Sequence, residues 1–258
     1  MSAVLERPPQ TIFYPESDGK PMGETDIHRN LMAYLIDSLA LHFQARPDVY
    51  VTGNIMFYYV EGNPRKSISP DVMVCFGVEK KLRRTYKLWA EGCAPSVVIE
   101  ISSRATWNED LKKKLALYEQ MGVAEYYVFD PEYDYLNEPL LAYRLVRGQL
   151  VRVEVVNGCI YSPVLDLELV DTGVTLRPRD PRTGLFLPTM AEMHEERQRE
   201  YEARMQEQAA RESEQAARVQ EHEARMQEQA AREIAEAEVA RLRAELEKLK
   251  NINANKIT

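Results

Sequence analysis

The chain has 258 residues, of which 45% are hydrophobic and 29% are charged, and its formal net charge is −8 at pH 7. This composition is typical of a globular protein with one or two domains. The negative net charge argues against a protein that coats nucleic acid through bulk electrostatics, although a local basic patch can still carry contacts to phosphates.

The chain begins with an arm and a helix. Residues 1–24 contain several prolines and glycines and are predicted to be irregular. Thr25 is predicted to be the N-cap of a helix whose apolar residues keep helical spacing to about Gln44. Near its start, Glu24 and His28 are candidate accessory contacts to a metal ion or a water molecule. The alternative is a capping carboxylate and a partly exposed histidine, which the general preference of first-turn polar residues for the backbone favours.

A strand pair is predicted after this helix. Residues 49–61 are expected to form a strand with a kink at Gly53 and Asn54. Asp71 then opens a short apolar run, residues 72–76, which follows a proline and is typical of a buried strand. The turn between the two segments predicts a hairpin.

The segment EKKLRRTYKLWAEG, residues 79–92, combines basic and aromatic residues. Nucleic acid offers phosphates that need cations and bases that stack on flat side chains, so this segment is a candidate contact surface. Its basic residues are Lys80, Lys81, Arg83, Arg84 and Lys87. The alternative is a short solvated helix with an apolar underside of Leu82, Tyr86 and Trp89, because helical spacing explains the aromatic residues equally well.

A second carboxylate lies inside the next predicted strand, residues 97–101. Glu100 is flanked there by Ile99 and Ile101. A carboxylate in a buried strand loses part of its hydration, which is unfavourable unless a cation or hydrogen-bond donors replace the water. Asp71 and Glu100 are therefore candidate functional residues.

Of three consecutive lysines in the following helix, periodicity selects one. At about 100° per residue, Lys114 lies within the apolar arc that contains Leu111 and Leu115, whereas Lys113 points to solvent. The helix is predicted to end at Gly122. A strand over residues 125–130 follows, which completes a right-handed crossover.

Two carboxylates and a lysine at one sheet edge suit phosphodiester hydrolysis. Mg²⁺ requires only one or two protein carboxylates, because water and phosphate oxygens complete its coordination. The expected cofactor is therefore Mg²⁺, or Mn²⁺, bound by Asp71 and Glu100. The Lys114 ammonium is expected to orient the attacking water or to stabilise the transition state.

The segments SPDV, PSVVIEISS and D-x3-KLALYEQMGVAEYYVFDP resemble the Uma2 family of restriction endonucleases, within the PD-(D/E)XK nuclease superfamily. The resemblance covers roughly residues 25–188, and K-L-x-x-Y-x-x-x-G-V-x-E-Y is its most specific part. It implies an α/β fold with a mixed sheet and a restriction-endonuclease-like αβββαβ core. It also implies that Asp71 and Glu100 are the two acidic positions. Ser102 stands where the superfamily pattern has lysine, so Lys114 is expected to take over that role.

The sequence therefore predicts a metal-dependent endonuclease that acts on DNA, with Asp71, Glu100 and Lys114 as catalytic residues. One alternative is a nuclease-like body without turnover that acts as a binding or scaffold protein through its C-terminal helix. Another is a glycosidase that uses the two carboxylates. The lysine and the basic segment argue against it.

Three further parts follow the core. A hairpin with its turn at Arg147 and Gly148, and short strands over residues 161–170 and 174–176, are predicted to extend the sheet. The predicted nuclease domain thus covers residues 25–189. A long helix or coiled coil is predicted over residues 190–250, in which EARMQEQAARE occurs twice with an offset of three heptads, and a disordered tail over residues 251–258.

The long helix leaves two possibilities open: weak association, as a homodimer or with a partner helix, or a single helix laced with charges. Three widely spaced cysteines without a C-x-x-C pair favour a reducing compartment and argue against a disulfide framework or a zinc site. Neither a signal peptide nor a membrane-spanning segment is recognisable, so the sequence predicts a cytoplasmic protein.

Overall fold

The computed structural model describes residues 12–17, 25–104 and 106–254, and for residues 247–254 it describes only the helical backbone. The helices are α1 Asp26–His42, α2 Leu88–Glu91, α3 Trp107–Glu109, a π-helical turn Asp110–Lys114, α4 Leu115–Met121 and α5 Met190–Ala254. The strands are β1 Val49–Thr52, β2 Phe57–Tyr58, β3 Ser67–Ile68, β4 Val72–Phe76, β5 Tyr86–Lys87, β6 Val97–Ile101, β7 Glu125–Phe129, β8 Leu140–Val146, β9 Gln149–Val153, β10 Cys159–Ser162, β11 Leu167–Asp171 and β12 Leu176–Arg179.

A six-stranded mixed sheet with the order β1-β4-β6-β7-β8-β9 forms the centre of the first part of the chain. Strands β6 and β7 are parallel and are joined by the helical crossover α3–α4, whereas the other neighbouring pairs are antiparallel. In its central sheet the chain therefore runs helix, three strands, helix, strand. The predicted α/β class and αβββαβ core are confirmed.

The two faces of this sheet carry separate cores. Helix α1 covers one face, where Leu35 and Leu39 pack with Val72 and Ile99. Helix α4 covers the other face, where its Tyr118 packs with residues that alternate with the first set, including Met73 and Val98. Because side chains alternate across a strand, the position of Glu100 next to Ile99 places it on the α4 face.

The strands outside the central sheet correct part of the sequence prediction. The kink at Gly53 and Asn54 ends β1, and β2 then joins a small sheet with the order β3-β2-β5. Strands β10, β11 and β12 form a third sheet, so the prediction that they extend the main sheet is wrong. Among the described strands, these three pair only with one another, and Leu167 and Leu169 of β11 pack into the core on the α1 side.

The basic segment is a loop over residues 79–85 and does not form the amphipathic helix of the alternative. Tyr86 is buried in β5, and α2 makes a single turn after it. Leu82, which the helical alternative placed on an apolar underside, is fully exposed. Pairing of β5 with β2 thus overrides the helical spacing of the sequence.

The chain divides into two compact units, Met1–Ala191 and Glu192–Thr258. The second unit consists of α5, whose described side chains from His194 to Leu246 are exposed. The helix continues through residues 251–254, beyond the start of the predicted tail, and residues 255–258 lie outside the described part. Among the helices in the described ranges, none combines the length and the apolar character needed to cross a membrane.

Candidate active site

The backbone around Gly53 fixes the position of Asp71. The N–H of Asn54 donates to the carbonyl oxygen of Pro70 at 2.8 Å. A Cβ atom added to Gly53 would lie 1.9 Å from the carbonyl oxygen of Asp71, so only glycine allows this approach. The close contact holds Asp71 at the start of β4, opposite the end of β6.

The carboxylate of Asp71 is held from both sides of the sheet edge. Its Oδ2 accepts a hydrogen bond from the backbone N–H of Ile101 at 2.8 Å and lies 3.3 Å from Nε2 of His28 on α1. Burial acts to raise the pKa of Asp71. The hydrogen bond with His28 and the charge of Lys114 outweigh it, so the pKa lies below its usual value.

Glu100 lies directly across from Asp71. The register of β4 and β6 pairs Val72 with Ile99, and the next pair in that register is Asp71 with Glu100. The Glu100 side chain is fully buried, and its Oε1 accepts a hydrogen bond from the Tyr118 hydroxyl at 2.5 Å. Burial is the main cause that raises the pKa of Glu100 to about 8, with a further increase from neighbouring carboxylates and an opposing effect of Lys114.

Lys114 reaches both the strand and its own helix. Its Nζ lies 2.9 Å from Oε2 of Glu100 and 2.8 Å from Oδ1 of Asp110. Burial lowers the pKa of Lys114, but the two carboxylates raise it by more, so the ammonium form is favoured. Lys113 is 80% exposed and Lys114 only 14%, which agrees with the predicted choice between them.

Three predicted residues, Asp71, Glu100 and Lys114, therefore come together, and His28 joins them. His28 is buried, so the alternative of a partly exposed histidine is wrong. Its backbone N–H donates to the Thr25 side chain, and this cap places the His28 ring beside Asp71. Glu24 lies outside the described residues.

The sequence prediction missed Asp110 and Tyr118. Asp110 is fully buried, and its Oδ2 accepts a hydrogen bond from Ser102 Oγ at 3.1 Å. Both residues stand in the motif that suggested the family: Asp110 is the first residue of D-x3-K, and Tyr118 the last of K-L-x-x-Y. The spacing of polar residues at i and i+4, and of the tyrosine four residues later, was the available signal.

The five predicted nucleic-acid contacts fall into two groups. Three are engaged in internal contacts: Lys80 donates to the carbonyl oxygens of Phe43 and Gln44, Arg83 pairs with Glu91 and lies over the Tyr50 ring, and Lys87 lies over the Tyr14 ring. The other two, Lys81 and Arg84, are exposed and pair with Glu79 and Glu16.

The donor set fits a divalent cation by its charge. Glu100 and Asp110 both contact the Lys114 ammonium, and the third carboxylate, Asp71, lies beside Glu100 and contacts His28. An excess of negative charge in a buried site favours a cation, and Asp71 and Asp110 add to the increase that burial causes in the pKa of Glu100. Among the described residues, no group of three or more Asp, Glu, His and Cys side chains is arranged as a metal cage. Asp71 and Glu100 are the two carboxylates that would hold such an ion, with water and phosphate oxygens completing its coordination.

Comparisons with known proteins give the family. No curated protein matches the chain. A crystal structure described as "a putative nuclease belonging to DUF820" from Anabaena variabilis ATCC 29413 is similar, with a TM-score of 0.43 and 15% identity, over 57% of this chain and 76% of that chain. A family profile described as "Uma2: Putative restriction endonuclease" matches residues 6–173, which is more than half of the chain. The protein therefore belongs to the Uma2 family, as its motifs predicted.

Proposed function

We propose that the protein is a metal-dependent endonuclease that hydrolyses phosphodiester bonds in DNA. The observation that carries the proposal is the convergence of Asp71, Glu100 and Lys114 at the adjacent ends of β4 and β6 in a chain of this family. Only Asp71, His28 and Lys114 keep a small exposed fraction in this cluster, between 10% and 16%, so a phosphate would enter from their side.

Asp71 and Glu100 would hold Mg²⁺ or Mn²⁺. When bound, such an ion lowers the pKa of a coordinated water and neutralises charge on the phosphate. His28 orients the Asp71 carboxylate through their 3.3 Å contact, and the Ile101 N–H fixes the same oxygen. Lys114 would donate a hydrogen bond to the attacking water or to a phosphate oxygen, where it stabilises the negative charge that develops in the transition state.

The basic residues of the β5 region would bind the DNA backbone. Lys81 and Arg84 suit this role because their ion pairs are exposed and weak, so a phosphate can replace the carboxylate partner at little cost. Arg83 is 4% exposed and serves the packing of the protein itself.

The test is cleavage of plasmid DNA by the purified protein in the presence of Mg²⁺ or Mn²⁺. The variants are Asp71→Asn, Glu100→Gln and Lys114→Met, with Lys113→Met as the matched control because Lys113 is exposed. We expect each of the three site variants to lose about a hundredfold or more in rate, since each removes a charge used in the transition state. The control should cleave as the wild type does.

Calorimetric titration with Mn²⁺ separates the remaining outcomes. The protein could bind the cation, lose that binding in Asp71→Asn and Glu100→Gln, and still cleave no DNA. That result would support the metal site and contradict the proposal that DNA is the substrate. Absence of both binding and cleavage would contradict the nuclease and favour the scaffold alternative, in which the protein acts through α5.

For α5 we propose self-association through its C-terminal part. Val239, Leu242 and Leu246 are spaced three and four residues apart, as at the core positions of a coiled coil, and about half of each side chain is exposed. Farther toward the N-terminus the helix is stabilised by ion pairs within itself, each from a glutamate to the arginine four residues later: Glu207–Arg211, Glu214–Arg218, Glu221–Arg225 and Glu228–Arg232.

A further inference from the structure

Asp110 binds the Lys114 ammonium from the side of the helix. Its Oδ1 lies 2.8 Å from Lys114 Nζ, and its Oδ2 accepts a hydrogen bond from Ser102 Oγ at 3.1 Å. Asp110 begins the π-helical turn that Lys114 ends, so the two side chains stack on one side of it. The ammonium is thus held between two carboxylates, one from the strand and one from its own turn.

Glu100 has protein partners at both of its oxygens. Oε1 accepts from the Tyr118 hydroxyl, and Oε2 contacts Lys114 Nζ at 2.9 Å and the backbone N–H of Asp71 at 3.3 Å. A divalent cation at Oε2 repels the ammonium, so Lys114 has to move away from that oxygen. A buried ammonium that loses its only partner is strongly unfavourable, which makes a second acceptor necessary.

We propose that Asp110 is a positioning residue that keeps the Lys114 ammonium in the site when a divalent cation occupies the Glu100 carboxylate. This inference rests on the proposed metal-dependent function. Asp110 retains one ion pair with Lys114 throughout, so cation binding does not leave the lysine unpaired. The lysine stays next to the reacting groups instead of turning to solvent.

The variant Asp110→Asn isolates the charge of this residue. The asparagine oxygen still accepts the hydrogen bond from Ser102. The Tyr126 hydroxyl donates to the backbone carbonyl oxygen of Asp110 at 3.0 Å, so that contact does not depend on the side chain. Ser102→Ala is the matched control, because it removes a hydrogen bond of Asp110 and leaves the ion pair with Lys114 intact.

The first measurement is the Kd of Mn²⁺ by calorimetry, for Asp110→Asn in the wild-type and in the Lys114→Met background. Loss of one negative charge weakens cation binding by itself, and that part is the same in both backgrounds. The part that acts through Lys114 exists only in the wild-type background. We expect the increase in Kd caused by Asp110→Asn to be about ten times larger in the wild-type background than in the Lys114→Met background. A tenfold difference is a typical coupling between two residues in contact. Ser102→Ala should change the Kd by less than about twofold.

The second measurement keeps the inference testable if Lys114→Met does not fold. A buried ammonium exchanges its protons slowly, and its NMR signal shows whether it stays paired. In the wild-type protein with Mg²⁺ the Lys114 signal should persist, and in Asp110→Asn it should disappear on addition of Mg²⁺. A signal that persists in Asp110→Asn would overturn the role of Asp110.

The outcomes separate this inference from the function on which it rests. If the protein binds Mn²⁺ and Asp110→Asn raises the Kd equally in both backgrounds, the role of Asp110 is overturned and the metal site is not. Absence of Mn²⁺ binding in the wild-type protein would overturn both.

Discussion

Gly53 has no side chain that could react, but its close contact with the backbone of Asp71 positions that residue. In Gly53→Ala the added methyl group would lie 1.9 Å from the Asp71 carbonyl oxygen and 2.7 Å from Cδ1 of Ile36, so the backbone has to shift. We predict a loss of about 1–3 kcal/mol in the free energy of unfolding, as for other overpacked sites. We also predict weaker Mn²⁺ binding, because the Asp71 carboxylate moves with its backbone. Urea unfolding and calorimetry measure the two effects.

Gly62→Ala is the control for this prediction. Gly62 has a φ of +82° and open space around its Cα, so alanine costs about 1 kcal/mol through backbone strain alone. Its Mn²⁺ affinity should equal that of the wild type. Equal Mn²⁺ affinities for both alanine variants would show that Gly53 does not position Asp71.

Glu125 provides a pH-dependent prediction away from the site. The carboxylate is buried, accepts a hydrogen bond from Ser162 Oγ and lies 3.7 Å from Arg144 Nε. Burial raises its pKa despite these partners. Its contribution to stability is therefore fully present below the ordinary pKa of 4.5 and is lost as the pH rises through the higher folded value. We predict that Glu125→Gln gains stability relative to the wild type from about pH 4 to pH 7, measured by urea unfolding.

Asp48→Asn should show the opposite trend. A hydrogen bond from Arg46 lowers the pKa of Asp48 to about 2, so its contribution is present above the ordinary value of 3.8 and is lost as the pH falls. The asparagine variant therefore loses stability relative to the wild type as the pH rises. If Glu125→Gln instead lost stability relative to the wild type as the pH rises, the pKa of Glu125 would not be raised in the folded protein.

The residues that the sequence identified share one property, which is a charge in an apolar pattern. Asp71, Glu100 and Lys114 each interrupt a strand or a helix face, so their cost in a buried position was visible from the sequence alone. Asp110 and Tyr118 occupy ordinary helical positions, so the sequence pattern does not single them out. Their contacts with Lys114 and Glu100 form only in the folded chain.

The helix between β6 and β7 illustrates what periodicity can and cannot predict. The direction of Lys114 was predicted correctly, although the prediction assumed a regular α-helix and Lys114 lies in a π-helical turn. The segment is not one α-helix but α3, a π-helical turn and α4. Residues four apart stay on one side in either geometry, so the direction of Lys114 was predicted while the extra residue of the π-helical turn was not. Such turns recur at functional sites, and this one carries both Asp110 and Lys114.

In the basic segment between β4 and β6, the exposed basic residues are expected to affect DNA binding, and the buried Arg83 is expected to affect stability. Removing Lys81 or Arg84 takes away an exposed charge, so each alanine variant should weaken DNA binding and reduce the slope of log affinity against log salt by about 1. Their free energies of unfolding should stay within about 0.5 kcal/mol of the wild type. Fluorescence anisotropy with labelled DNA at several salt concentrations measures the slope.

Two further variants complete this experiment. Arg83→Ala should lose about 2–4 kcal/mol of stability, because it leaves the partly buried Glu91 without its partner. Arg241→Ala, on the exposed surface of α5, controls for the loss of one positive charge elsewhere. The segment would be excluded as the DNA contact if Lys81→Ala and Arg84→Ala bound DNA with the same salt slope as Arg241→Ala.

At the scale of the whole molecule, local pattern and long-range pairing were predicted unequally. The order of helices and strands in the central sheet followed from periodicity and breakers. The assignment of β10–β12 to a separate sheet did not, since alternation shows that one face is buried but not against which element. For α5, the uninterrupted run of strong helix formers was sufficient to predict the helix, and its end was predicted only to within a few residues.

The exposed apolar residues near the C-terminal end of α5 allow a test of its self-association. If Val239, Leu242 and Leu246 form the contact between two copies, Leu242→Glu combined with Leu246→Glu places charges in that seam. Burial of each leucine contributes about 1.5–3 kcal/mol, so the dissociation constant should rise at least about a hundredfold. Sedimentation equilibrium of the full chain measures it. Arg225→Gln is the control: its ion pair with Glu221 lies outside this seam, so association should persist. A double glutamate variant that sediments as the wild type does would show that α5 does not associate through these residues.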